Sequence, residues 1–406
     1  MRKLLLSLVL VIGLFSCCEK PGPDLPYKPG TNPLVKGDTV SRTLLVYLMA
    51  ENTLTDFLRD DYDEIKLAAL GLADDVRLFV YFDNSDATRL PALYQYHPSK
   101  GELLENEIYT FEKDVCSSDT AILGKVLDVI FTDYPTKAFD LILGSHADGW
   151  KRHHAKSAPD RIIGIDNGKN NKYSNTITTT IEMEELAALL EQQPVKVDRL
   201  MFDACLMQGV EVAYALRNSA NWIIASPAEI PAYGAPYDKV VPEFFNPDSN
   251  VEDIMLEYKN AYDSESDAVV LSAVRASCMQ ELADSTRHYV NKYFYLGADN
   301  NYSGSLAYVP GRAPAYYDIN PIMKNTLDSL EYVRWKVVFD KAVPHIMVSN
   351  SRKVYSAIAP AIVTVTDDYG AVSAYFPQNR YANNGLNEDF RTTEWYRAAG
   401  WDVAGW

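Results

Sequence analysis

Two things are scarce in this 406-residue chain: cysteine, with five, and positive charge, with 38 Lys and Arg against 55 Asp and Glu. A net charge of −17 excludes nucleic acid or an anionic membrane surface as a charge-held partner, because phosphates would be repelled. It is compatible with a basic substrate, and equally with a chain that is acidic only for solubility. No Cys-x-x-Cys pair exists, which disfavours a redox protein. Besides the adjacent Cys17 and Cys18 there are Cys116, Cys205 and Cys278. An odd, scattered set is a poor disulfide framework and leaves at least one free thiol to explain. After the first residues no run is long and apolar enough to span a bilayer. There is no internal repeat.

What is present begins with "MRKLLLSLVLVIGLFSCCEK". Arg2 and Lys3 precede an apolar stretch from Leu4 to Phe15, the proportions of a secretory signal rather than a membrane span. Cys17 after Leu-Phe-Ser reads as a lipobox cysteine, acylated and left as the new N-terminus; an ordinary cleaved signal is the alternative. Residues 1–17 are thus expected to be a lipoprotein signal peptide. Residues 18–41, rich in Pro and Gly, are expected to be an extended tether. The protein would be exported to the cell envelope, touching the membrane through its lipid alone, as a monomer.

The hydrophobic content, 47%, is that of a globular chain. Apolar runs recur at Thr43–Ala50, Val76–Asp83, Ala138–His146, Val197–Ala204, Trp222–Ala228 and Ala268–Val274, with helical patterns between them. A helix is expected from about Thr55 to Leu72, a hairpin around Leu93 to Thr110, and a helix capped by Ser118 or Asp119. Such runs predict an α/β/α sandwich around a mainly parallel sheet of six main strands. After Arg275 the pattern changes. We expect one large domain over 42–275 and a C-terminal α+β extension over 276–406, with a helix at Met279–Tyr295 and a strand pair around Ala361 to Phe376.

Functional groups of an open α/β sheet gather at the carboxyl ends of its strands. Two strands end in capable residues: "GSHADGW" with His146, and "DAC" with Cys205. They lie 59 residues apart, so the fold must bring them together. A thiol needs a base or an electropositive setting to react. Cys205 is expected to open a helix whose amides lower its pKa and hold an oxyanion. His146 would serve as base and then as acid, with Gly144 and Gly149 allowing tight turns around it. Each residue alone has a plainer meaning, a small buried cysteine and a satisfied strand-end histidine. Together, in the order His then Cys, they point to a Cys-His hydrolase.

"LILGSHADGW" and "LMFDACLMQGVEVAYALRNSANWIIASPAEIPAYGAPYD" resemble the clostripain family of cysteine peptidases, family C11 of the caspase-like clan. The resemblance is strongest from Asp203 to Asp238, and the C-terminal "YGAVSAYFPQ" and "TTEWYRAAGW" resemble exported bacterial members. It implies a caspase-like fold, a Cys205–His146 dyad and cleavage after Arg or Lys. It further implies an oxyanion hole from the N–H groups of Ala147 and Cys205, no required cofactor, and a self-cleaved zymogen. The family usually has Gly where Ala147 stands; Ala keeps the N–H unless positive φ is required.

Other residues carry two readings. Asp203 is either the acid at the base of the P1 pocket, which the resemblance favours, or a helix cap. "WKRHHAKSAPDR" is either a solvated basic loop or a self-cleavage site after Lys151, Arg152, Lys156 or Arg161. His153 and His154 lack metal partners at ligand spacing, and no metal site is expected. Ser226–Glu229 matches a capping box, and in the family lies near the site. Asp166–Asn171 offers oxygens but lacks the calcium-loop spacing; some family members respond to Ca2+, which nothing here requires. Cys116 and Cys278 read as structural. The competing class is a non-catalytic binding lipoprotein on a peptidase scaffold.

Overall fold

Along the first strand, Arg42–Ala50, side chains alternate between two hydrophobic cores. Leu45, Tyr47 and Met49 enter one; Leu44, Val46, Leu48 and Ala50 enter the other. A strand buried on both faces must lie inside a sheet that carries a layer on each side. The computed structural model describes residues 37–406 except 100–101, 152–162, 170–179, 263–267, 299, 301, 303, 312–314, 358–360 and 380–384. The signal peptide, Cys17 and most of the tether therefore lie outside the described residues.

In chain order the strands are β1 (Arg42–Ala50), β2 (Val76–Asn84), β3 (Ala92–Ser99), β4 (Glu102–Thr110), β5 (Phe139–Gly144), β6 (Val197–Asp203), β7 (Ala220–Ala225), β8 (Val270–Arg275), β9 (Tyr317–Asp318) and β10 (His345–Val348). The main sheet has the order β10-β8-β7-β6-β5-β1-β2-β3-β4. The six runs predicted as strands form its contiguous middle, five parallel and β8 antiparallel to β7. The hairpin β3–β4 and the short β10 extend it to nine strands rather than six.

Helices α1 (Thr55–Ala69), α2 (Thr120–Asp133), α3 (Met183–Glu191), α4 (Val210–Ala215), α5 (Tyr237–Phe245), α6 (Val251–Ala261), α7 (Met279–Tyr293), α8 (Ile319–Thr326) and α9 (Ser329–Ala342) cover it. Leu58, Tyr237 and Ile254 place α1, α5 and α6 on one face; Ile122, Leu186, Leu282 and Trp335 place α2, α3, α7 and α9 on the other. Asp119 caps α2 through the amide of Ala121, as one of the two predicted caps. Residues beyond 275 share the main core, since Trp335, Phe376 and Trp401 belong to the cluster that holds Leu141 and Phe202. Two strands form around Ala361 to Phe376 as expected, but they do not pair with each other. Ala361–Thr364 pairs with Lys353–Ser356, and Ser373–Ala374 with β9. Among the described residues no helix is long and apolar enough to cross a membrane.

At the amino edge of the sheet, Asp140 of β5 is fully buried and accepts four hydrogen bonds from two arginines. Arg199 of β6 donates from Nε (3.0 Å), Nη2 (2.6 Å) and its own amide (3.0 Å), and Arg42 of β1 donates from Nη1 (2.6 Å). Beside this clamp the β5–β6 register shifts. Phe139 pairs with Val197, but Leu141 pairs with Leu200, so β6 holds one extra residue. Removing one partner of a buried charge pair leaves the other uncompensated. Asp140→Ala is expected to cost about 3–5 kcal/mol, read as the urea unfolding free energy; a loss within the scatter of surface mutants would refute the clamp.

Candidate active site

The strand register places the two chemical groups. Gly144 pairs with Asp203 at the carboxyl ends of β5 and β6, an interval of 59 residues. The same interval separates His146 from Cys205, so each lies two residues beyond a paired position on adjacent parallel strands. Both are partly exposed where the sheet edge opens. The ring Nε2 of His146 shares a hydrogen bond of 2.8 Å with Thr53 Oγ1, on the turn between β1 and α1. The sequence reading missed Thr53; its signal was a hydroxyl directly after the most apolar strand, at the functional edge.

Cys205 does not open a helix. It occupies a turn, and α4 begins five residues later at Val210 with Gly209 as its N-cap. Leu206 takes φ +64°, a conformation that costs a bulky residue roughly 1–2 kcal/mol. The turn is held from outside. Ala228 O accepts the amide of Leu206 (2.9 Å), Ser226 O accepts that of Gln208 (3.0 Å), and the Cys205 thiol faces Ile230 O at 4.0 Å. Ser226–Glu229 is therefore a brace for the nucleophile turn and not a capping box, since no helix follows it.

Without helix amides the expected depression of the thiol pKa does not occur. Burial pushes the Cys205 thiol up to about 12, and the charges of Glu229, Asp148 and Asp203 act in the same direction. Burial here favours the thiol over the thiolate.

The turn after His146 is built from both ends of the chain. Ala147 forms an antiparallel bridge with Ile163 and keeps negative φ, so its N–H survives the change from Gly. The positive φ falls on Gly149, at +69°, where a Cβ would lie 2.8 Å from Leu206 O. Gly144 serves close packing instead: a Cβ there would meet Leu48 at 2.8 Å. Tyr316, from the C-terminal segment, donates to the Asp148 carbonyl and lies 2.9 Å from its carboxylate. Lys151, one of the candidate cleavage residues, holds its ammonium 2.6 Å from Asp148. Arg152, Lys156 and Arg161 lie outside the described residues.

Asp203 is not a helix cap. Its buried carboxylate accepts from Tyr258 (2.9 Å to Oδ1) and Tyr237 (3.0 Å to Oδ2). Burial raises its pKa, and these hydrogen bonds oppose the rise.

One acidic cluster was not foreseen. Carboxylate oxygens of Glu51, Asp83 and Asp114 lie within 4.8 Å of one another. The Lys169 ammonium sits among them, 2.6 Å from Asp83, bonded to Glu51, and donating to Asn84 O at 2.7 Å. Burial pushes Glu51 up to about 12, with Asp83 and Asp166 adding to it. Calcium needs about six to eight oxygens around an open centre; here the protein's own cation holds that centre, so these residues do not fit a metal. Lys169 instead ties the segment after the bridge at Ile163 to the ends of β1 and β2. Cys116 and Cys278 are buried and form no disulfide among the described residues.

The raised thiol pKa fixes how Cys205 should react. Iodoacetamide modification of Cys205 in the full chain, followed by peptide mapping, is expected to accelerate about tenfold per pH unit from pH 7 to 10. A plateau below pH 8 would contradict a thiol buried among acids.

Comparison with known proteins places the chain in a family. A sequence profile of the clostripain family matches residues 46–406. Clostripain of Hathewaya histolytica is 28% identical over 222 residues, 49% of this chain and 41% of that protein. The chain therefore spans well under two thirds of that relative's length. Among solved structures, a secreted C11 cysteine protease from Bacteroides thetaiotaomicron, in complex with an irreversible peptide inhibitor, superposes with a TM-score of 0.77. It is 27% identical, over 89% of this chain and 99% of that one. An inactive zymogen C11 protease from Parabacteroides distasonis gives 0.74 at 26% identity, over 90% and 99%. With nearly the whole described chain matched, from β1 to the C-terminus, this protein belongs to the clostripain family.

Proposed function

We propose that the chain is an exported cysteine endopeptidase that cleaves after Arg or Lys. The carrying observation is the β5–β6 register, which sets His146 and Cys205 level at one sheet edge. In this reading the Cys205 thiolate attacks the scissile carbonyl carbon. The oxyanion meets the N–H groups of Ala147 and Cys205, and His146, oriented by Thr53, gives a proton to the leaving amine. Water then opens the thioester with His146 as base. No cofactor takes part.

The resting thiol fits a latent enzyme. Three acids beside Cys205 oppose ionisation, and the His146 turn is tethered through Lys151 and Asp148. Self-cleavage in the 151–161 loop would detach the chain that follows from this turn, while Lys151 and Asp148 stay together on one side of the cut. Arg152, Lys156 and Arg161 are the preferred bonds, because the Lys151 ammonium is already engaged. Asp203, beneath the nucleophile turn, is the acid we assign to the P1 pocket. Cys17 is proposed as the lipid anchor, with residues 18–41 as tether to the envelope and the folded part acting as a monomer on peptide substrates.

Fluorogenic peptides with Arg, Lys, Ala or Asp at P1 test this reading. The self-processed protein is expected to turn over only the basic pair, and Cys205→Ala to lower that turnover by at least about 10³-fold. Equal turnover in the variant would refute Cys205 as the nucleophile, and none by the wild type after limited proteolysis of the loop would favour a binding lipoprotein on a peptidase scaffold.

A further inference from the structure

A second acid stands beside Asp203. Asp61, on α1, is 3% exposed, and its Oδ2 is buried with no hydrogen-bond partner. A buried acceptor left without a donor is costly, and two buried acids side by side more so. Both carboxylates lie against Gly234. A Cβ on Gly234 would lie 2.5 Å from Asp203 Oδ2 and 3.3 Å from Asp61 Oδ2. That glycine takes φ +63°, so the turn brings bare backbone over the two carboxylates. Asp203 already accepts from two tyrosines and the Ala235 amide, which leaves it little capacity for a multi-donor cation. Asp61 has that capacity. At the surface, exposed Tyr233 meets Phe57 edge-on, with ring centres 5.2 Å apart, an apolar wall of the kind that packs an aliphatic stem.

We propose that Asp61 is a second specificity residue, sharing the positive charge of a P1 Arg or Lys with Asp203. This rests on the basic-P1 reading above and names a residue that reading did not contain. A guanidinium presents five N–H groups and an ammonium three, enough to bridge two carboxylates. Burial, and then the charges of Asp203, Glu64 and Asp60, push Asp61 up to about 10. Burial thus favours its neutral form, and a bound cation would favour the ionised one.

The test uses the self-processed full chain and peptides differing only in P1 Arg or its neutral isostere citrulline. In Asp61→Asn the Arg-to-citrulline ratio of kcat/KM is expected to fall about 10- to 100-fold. A wild-type preference for Arg that survives unchanged in Asp61→Asn, while Asp203→Asn loses it, overturns the assignment of Asp61 alone. A wild type with no preference for Arg over citrulline sinks the basic-P1 reading, and this proposal with it. Should Asp61→Asn fail to fold, carboxyl ¹³C NMR of the wild type provides the readout, with agmatine as the cation. Ionisation of Asp61 at saturating agmatine supports the proposal, and an unmoved Asp61 signal refutes it.

Discussion

The buried carboxylate of Asp140 is the constraint on which the site depends. It binds Arg42 of β1 and Arg199 of β6 across the strand that carries it, and so fixes three central strands against one another. The extra residue in β6 sits beside this clamp. Before the shift, paired residues of β5 and β6 differ by 58 in number; after it, by 59. With the first interval continued, His146 would stand level with Ala204. A slip of one residue also turns every side chain to the opposite face. The register beside the ion cluster at one edge of the sheet thus sets Cys205, and not Ala204, level with His146 at the other edge.

The nucleophile end of that arrangement carries strain that its neighbours hold. Leu206 keeps a left-handed backbone because Ala228 and Ser226 accept the amides around it. Gly149 packs against the Leu206 carbonyl, and Tyr316 holds the Asp148 turn. The C-terminal segment thereby reaches this edge, through the Tyr316 hydroxyl and through Tyr375 and Phe390 against Trp150. This is a physical reason for it to share the main core.

Much of this was readable in the sequence, for a stated reason. Strands buried on both faces must be continuously apolar, so β1, β2, β5, β6, β7 and β8 announce themselves, and His146 and Cys205 stand out as the reactive residues just past two such runs. The turn at Cys205 was read as a helix start because "ACLMQGVEVAYAL" has helical composition. Only the tertiary hydrogen bonds from Ser226 and Ala228 delay the helix to Val210. Ser226–Glu229 misled in the converse way: its pattern fits a cap, but its carbonyls are spent on the cysteine turn. Lys169 was invisible, because an ammonium joining Glu51, Asp83 and Asp114 spans 118, 86 and 55 residues of chain and has no local pattern. Asp61 looked like one more acid on an amphipathic helix. Its burial is a consequence of how α1 meets the Gly234 turn.

The acidity of the chain and the state of the nucleophile are two sides of one electrostatic problem. Acids near a cysteine disfavour the thiolate, and here Asp203 belongs both to that group and to the proposed P1 pocket. On the proposed reading a cationic side chain entering the pocket neutralises Asp203. It removes part of the negative potential at Cys205, and so favours ionisation of the thiol once substrate is in place. A neutral P1 residue would lose the pairing and leave that potential standing. Selectivity for a basic residue would then act in the chemical step as well as in binding, because the charge that recognises the substrate also suppresses the nucleophile until the substrate arrives.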